Sequence, residues 1–242
     1  MPDVLQLRAL TKAFGGLLAV NDVSFAVGDA EIVGLIGPNG AGKTTLFNAI
    51  NGYFPPTSGT VTYDGHEVTG YTPDRMAALG MGRTFQIVRP FPRLSVLENV
   101  MVGAFLRRAG RRAAERKAWE VLEFVGLRDL AERPAGSMTL AGRKRIEVGR
   151  ALALEPRLLL LDEVSAGLNA AESDRMVDLI RQIRDRGVTI LIVEHVMRVM
   201  MRISDRIVVL NYGRKIAEGT PAEVSRNPEV IQAYLGEENP SA

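Results

Sequence analysis

GPNGAGKTT, residues 37–45, fits the pattern G-x-x-x-x-G-K-[ST], with Gly37, Gly42, Lys43 and Thr44 at the fixed positions. An apolar run, EIVGLI from Glu31 to Ile36, leads in, and TTLFNAI, spaced like a helix, leads out. The pattern thus sits between a strand and a helix, which is what a phosphate-binding loop needs. Glycines let backbone N–H groups turn inward around phosphate oxygens with no Cβ in the way, and the helix start adds the positive end of its dipole. Asn39, Gly40, Ala41, Gly42, Lys43, Thr44 and Thr45 are therefore the expected nucleotide contacts. Lys43 reaches the β- and γ-phosphates, and the Thr44 hydroxyl ligates Mg²⁺. A glycine-rich turn ahead of an ordinary helix is the alternative, and the fit of both flanks weighs against it.

Composition narrows the field around this loop. The 242 residues contain no cysteine, which excludes disulfides and thiolate-bound metals, and only two histidines, which argues against a His-only metal site. Thirty basic residues against 28 acidic ones give a net charge of +2, a near balance that is no nucleic-acid footprint. The opening MPDVLQLRALTKAF lacks a basic segment followed by an apolar one, and no run approaches the ~18 apolar residues of a membrane span. The expectation is a cytoplasmic chain whose membrane role comes through a partner.

Upstream of the loop, LQLRALTKAF and VNDVSFAVG alternate apolar and polar residues around Gly15 and Gly16, which predicts antiparallel strands. Downstream, Asp64-Gly65 suits a tight hairpin, with His66 beside it in solvent. PDRMAALG predicts a short helix opened by Pro73, and MGRTFQ a strand ending at Gln86. Ser95 and Glu98 form a capping box ahead of further helical spacing, which places a helical subdomain at about residues 87–156. Inside it RRAGRRAAERK holds six basic residues against one acidic residue and reads as a solvated helical face and loop, with a membrane-headgroup or partner contact as the alternative. The second half alternates helix and strand: a helix from about Gly142 to Leu154, LLLL, a helix from about Ala170 to Arg186, VTILIV, HVMRVMMR, RIVVL. Apolar strands between helices require a parallel sheet covered on both faces. Residues 1–242 read as one domain.

Further chemistry collects at strand ends. LLLLDE, Leu158 to Glu163, is an apolar strand ending in two carboxylates, and parallel sheets take ligands beyond the carboxyl ends of their strands. Asp162 suits holding Mg²⁺, and Glu163 suits polarising an attacking water. ILIV ends in Glu194-His195, and His195 can hydrogen-bond a γ-phosphate or that water. Gln86 closes its strand where its amide oxygen could ligate Mg²⁺. SMTLAG precedes a helix whose first turn carries Arg143, Lys144 and Arg145, which oppose the helix dipole unless an anion lies there; this reads either as a second phosphate-facing terminus at Thr139 or as an ordinary capped helix with solvated basic residues.

The set GPNGAGKTT, Gln86, SMTLAG before a basic helix, LLLLDE, SAGLN and His195, in that order, resembles the ATP-binding subunits of ABC transporters from about Leu5 to Gly236. The resemblance implies the P-loop NTPase fold of the ABC ATPase type: α/β, a mostly parallel core sheet, an N-terminal antiparallel β subdomain and a helical subdomain. It implies ATP and Mg²⁺ as ligands, Phe14 stacking on adenine with Val20 beside it, and Thr44, Gln86 and Asp162 around the metal. Glu163, His195 and Gln86 take the catalytic places, and Ser165 to Asn169 the D-loop. Two such subunits sandwich two ATP molecules, each phosphate loop facing the other subunit's signature peptide. Where LSGGQ is usual, this chain has Met138 to Gly142, MTLAG, which keeps a hydroxyl at Thr139 and a backbone N–H at Ala141.

Within the family, GRTFQIVRPFPRLSVLENVMVGAF, EVSAGLN and EGTPAEVSRNPEVIQAYLGEE are most similar to one of the paired ATPases of branched-chain amino acid importers. That likeness implies membrane-spanning permease subunits, a second ATPase or a second copy of this chain, an indirect periplasmic binding protein, and a peripheral place at the cytoplasmic face of the membrane. The solute implied is branched-chain or related amino acids, since similar subunits serve urea, amide or other amino acid uptake; a lipid or lipopolysaccharide exporter ATPase and a soluble non-transport ABC module are the alternatives.

Overall fold

Successive residues of a strand face opposite sides of its sheet, so a strand buried along its whole length needs a cover on each side. Leu158 and Leu160 pack into one hydrophobic cluster, Leu159 and Leu161 into another, and the same alternation holds for Ile190 to Val193 and Ile207 to Leu210. The computed structural model, which describes residues 3–86, 88 and 90–235, shows what supplies the covers.

Strands β1 (Asp3–Phe14), β2 (Leu17–Gly28), β4 (Ser58–Tyr63) and β5 (His66–Glu67) form an antiparallel sheet in the order β2-β1-β4-β5. Strands β3 (Ile32–Ile36), β6 (Met81–Arg83), β7 (Leu158–Asp162), β8 (Thr189–Val193), β9 (Arg206–Asn211) and β10 (Arg214–Gly219) form the second sheet, ordered β10-β9-β3-β8-β7-β6. It is parallel except for β10, which returns antiparallel along β9. On one side it is covered by helix α1 (Lys43–Ile50) and the first sheet, with Met76 of α2 (Pro73–Leu79) adding to the core. On the other lie α3 (Val96–Ala104), α4 (Arg111–Phe124), α5 (Leu140–Leu152), α6 (Ala170–Asp185) and α7 (Met197–Ile203). Helices α8 (Pro221–Arg226) and α9 (Pro228–Leu235) contribute Val224 and Val230 to that second cluster. Each fully buried Leu, Ile or Val contributes roughly 1.5–3 kcal/mol.

Local signals set the element ends. Asp64 and Gly65 (φ 50° and 76°) make the predicted hairpin turn. Ser95 accepts from the Glu98 N–H and the Glu98 carboxylate from the Ser95 N–H, and Asn169 with Glu172 repeats the device on α6. In the basic segment before and within α4, Arg108 and Lys117 both reach Glu155. Two boundaries differ from expectation. β6 stops at Arg83, because the next residue anchors with its side chain: the Thr84 hydroxyl accepts from the Asp162 N–H at 3.1 Å, and the chain then leaves the sheet. Gln86 therefore lies beyond the strand rather than at its end. Helix α5 begins at Leu140, with Thr139 as its cap accepting from the Gly142 N–H at 3.2 Å. Lys144 and Arg145 thus fall beyond the first turn. The last residues of the family-like C-terminal stretch, Gly236 to Glu238, lie outside the described residues.

Candidate functional site

Strands β3, β7 and β8 run parallel and in register, with Asp162 beside Val193, so the phosphate loop, Asp162-Glu163 and Glu194-His195 emerge at one edge of the sheet. The loop is pressed into place from two sides. A Cβ on Gly37 (φ 150°) would stand 2.1 Å from the Leu210 carbonyl oxygen, and one on Gly42 (φ 97°) 2.4 Å from that of Ala19. The turn between β9 and β10 clamps the loop. The Gly213 N–H donates to the Ala41 carbonyl at 3.1 Å, and the Gly213 carbonyl accepts from the Asn21 N–H at 2.7 Å. Lys43 is buried, and its ammonium donates to the carbonyls of Gly37 (2.5 Å) and Pro38 (2.8 Å) inside the loop. Phosphate oxygens carry more negative charge than these carbonyls, so a phosphate in the loop draws the ammonium to itself.

A cleft of about 440 Å³ opens over the loop. Asn39 to Thr45 form its floor, Leu17, Leu18, Ala19, Tyr212 and Gly213 one wall, and Gln86, Glu163 and His195 the other. That second wall is a hydrogen-bonded unit. One oxygen of Glu163 meets His195 Nε2 at 2.6 Å, and the other accepts from the Gln86 amide at 2.9 Å. Glu163 holds a left-handed backbone, φ 50°, which costs a non-glycine residue about 1–2 kcal/mol. Two bonds offset it: the Glu163 N–H donates to the Val193 carbonyl at 2.9 Å, and the Glu163 carbonyl accepts from the Lys144 ammonium at 2.6 Å. A carboxylate held at both oxygens and turned toward a phosphate loop is placed to orient and deprotonate a water.

Asp162 sits behind this wall, with its side chain 4% exposed. It lines an adjoining groove of about 890 Å³ together with Thr44 and Gln86, which face both spaces. Burial pushes the Asp162 carboxyl up, and Arg83, at 3.4 Å, opposes the rise. The hydroxyl, amide and carboxylate oxygens of Thr44, Gln86 and Asp162 are the hard donors that Mg²⁺ takes alongside phosphate oxygens. The donor set fits the ion. Glu194 is buried, and its carboxylate accepts from the Ser165 N–H at 2.6 Å, fixing the start of the loop from Ser165 to Asn169. Burial pushes the Glu194 carboxyl up as well.

Not every expected contact reaches the cleft. The Phe14 ring lies outside the lining residues: it meets Phe54 edge-on at 5.2 Å, with the Lys12 ammonium 5.0 Å from its centroid. Val20 is fully buried beneath Gly42 and offers no surface to a ligand. Thr139 and Ala141 line a separate depression, apart from this chain's own phosphate loop. Two of the three basic residues do not face the helix start at Thr139. Arg143 donates to the carbonyls of Met138 and Gly136, both at 2.9 Å, and Lys144 points inward to Glu163. Burial holds the Lys144 ammonium below its usual range. The clamp at Tyr212-Gly213 and the wall at Leu17 to Ala19 were missed, because only the fold brings them beside the loop; the one local trace is the glycine of a tight hairpin.

A family profile described as ABC transporter matches residues 20–166, and one described as branched-chain amino acid ATP-binding cassette transporter matches residues 214–239. The chain is 43% identical to the high-affinity branched-chain amino acid transport ATP-binding protein BraF of Pseudomonas aeruginosa, over 97% of this chain and 98% of that protein. It is 42% identical to the protein LivG of the same description from Escherichia coli, over the same shares of each. Among solved structures, a nucleotide-free ATP-binding cassette from an ABC transporter superposes with a TM-score of 0.89 at 29% identity, covering 96% of this chain and 99% of the other. A dimeric bacterial ABC transporter cassette gives 0.81 at 25% identity, covering 90% and 98%.

Proposed function

The chain belongs to the ABC transporter ATP-binding family, and on that premise we propose that it is the ATP-hydrolysing subunit of an importer for branched-chain amino acids. The observation that carries the catalytic part is the Glu163 carboxylate, held at 2.6 Å by His195 and 2.9 Å by Gln86 above the phosphate loop. ATP lies with its phosphates in the loop, against the inward N–H groups and the Lys43 ammonium. Glu163 takes a proton from the water that attacks the γ-phosphate in line, while His195 and Gln86 keep its carboxylate aimed. Thr44, Asp162 and Gln86 would hold Mg²⁺, which would supply positive charge against the charge that develops on the phosphates. Departure of the γ-phosphate removes the partner of this wall, and Gln86 sits where the chain passes from the cleft to the helices α3 to α5.

The same reading supplies the partners. Permease subunits carry the solute, a second ATPase or a second copy of this chain completes the ATP pair through Thr139 and Ala141, and a periplasmic binding protein delivers the solute. Among the described residues no helix is long and apolar enough to cross a membrane, which supports a peripheral place at its cytoplasmic face. Deleting the gene in the host tests the solute. High-affinity uptake of labelled leucine, isoleucine and valine should be lost, and be restored by the unaltered gene but not by Lys43→Ala. Intact uptake of all three would refute the amino acid assignment.

A further inference from the structure

Arg83 ends β6 beside Leu160, two residues before Asp162 on the neighbouring strand. Its guanidinium is an unusual partner for a buried carboxylate. The side chains are 7% and 4% exposed, yet a single Nη2–Oδ2 contact of 3.4 Å joins them, at the outer limit of a hydrogen bond. Arg83 Nε and Nη1 are buried and have no hydrogen-bond partner among the described residues. The rings of Phe85 and Phe47, 5.2 and 5.9 Å from the guanidinium carbon, face the cation without satisfying its N–H groups. A buried ion pair built for stability is paired at both oxygens and saturated with hydrogen bonds. This one is neither.

A loose internal cation beside a carboxylate that suits a divalent ion is a competitor for it. We propose that Arg83 is a positioning residue for the metal site: it holds Asp162 while no ion is bound and is dislodged when the ion takes that carboxylate. The inference rests on Asp162 as the metal carboxylate. A dication attracts a carboxylate with twice the charge of a guanidinium, so the ion wins the exchange. The displaced group has somewhere to go, because Arg83 already lines the groove beside Phe85, Phe91 and Leu106. Arg83 thereby sets how much of the ion's binding energy is spent on release and lowers the ion's apparent affinity for the site.

The test is a Mn²⁺ titration, followed by electron paramagnetic resonance, of the chain saturated with a non-hydrolysable ATP analogue. In Arg83→Met the midpoint should fall roughly tenfold, the effect of removing about 1.4 kcal/mol of competition. The rise in melting temperature that Mg²⁺ adds over EDTA should grow, and with Asp162→Asn as background Arg83→Met should have no effect on the midpoint. An unchanged midpoint, with the melting temperature lowered equally with and without the ion, overturns the proposal and leaves Arg83 a packing residue. If Arg83→Met does not fold, the unaltered chain decides: the Arg83 Nε–H resonance should shift when Mg²⁺ is added to the analogue complex, and a stationary resonance overturns the proposal. Failure of the unaltered chain to bind the analogue at all would sink the nucleotide reading itself, and this inference with it.

Discussion

His195→Ala removes one of the two hydrogen bonds that hold Glu163 and leaves the 2.9 Å bond from Gln86 in place. A hydrogen bond to a charged group is worth about 1.5–3 kcal/mol, and the 44% exposure of the His195 side chain puts this one at the lower end. At 1.36 kcal/mol per factor of ten, the single-turnover rate of phosphate release should fall roughly 10- to 30-fold, with nucleotide affinity unchanged. Gln86→Ala should behave alike. The two residues act through one carboxylate, so the double variant should fall short of the product of the single effects. In a Glu163→Gln background, His195→Ala should cost nothing further. A multiplicative double variant, or a full His195 effect without the Glu163 carboxylate, would show that His195 acts on the phosphate or the water by itself.

Backbone strain and buried charge yield two more expectations. Gly42→Ala places a Cβ 2.4 Å from the Ala19 oxygen at φ 97° and should lower stability by roughly 2–4 kcal/mol, whereas Gly40→Ala, at φ 76° in open space, should cost about 1–2 kcal/mol; equal urea midpoints would contradict this. Burial raises the Glu194 carboxyl, so its stabilising neutral form is present below the unfolded value of about 4.3 and is lost as pH rises through the higher folded value. Glu194→Gln, whose amide oxygen still accepts the Ser165 N–H, should therefore gain on the parent between pH 5 and pH 8 in urea melts. A pH-independent difference would count against the buried charge as its cause.

Strand and helix identities were legible wherever burial is periodic. Alternation in β1 and β2, unbroken apolar runs in β7 and β8 and the capping boxes at Ser95 and Asn169 are local patterns with local causes. The phosphate loop was legible because its glycine and lysine spacing is local in sequence, and the Asp162-Glu163 and His195 positions because parallel strands end at one edge. What escaped depends on side chains meeting across the fold. Thr84 ends β6 by bonding Asp162, which no count of apolar residues in MGRTFQ reveals. Lys144, expected in the first turn beside a phosphate-facing terminus, is instead drawn inward by the Glu163 carbonyl, a group whose exposure follows from the left-handed turn at that residue. Phe14 carries the right chemistry for a base, and its half-exposed ring meets the neighbouring Phe54 edge-on.

The account turns on Glu163 as the group that activates water, and the most direct measurement is ATP turnover and ATP retention by Glu163→Gln in the assembled transporter. The glutamine keeps the shape and can still bond His195 and Gln86, yet cannot take a proton, so hydrolysis should slow by roughly 10²–10⁴ while ATP stays bound. Turnover at the unaltered rate would contradict the account and move the catalytic role away from Glu163.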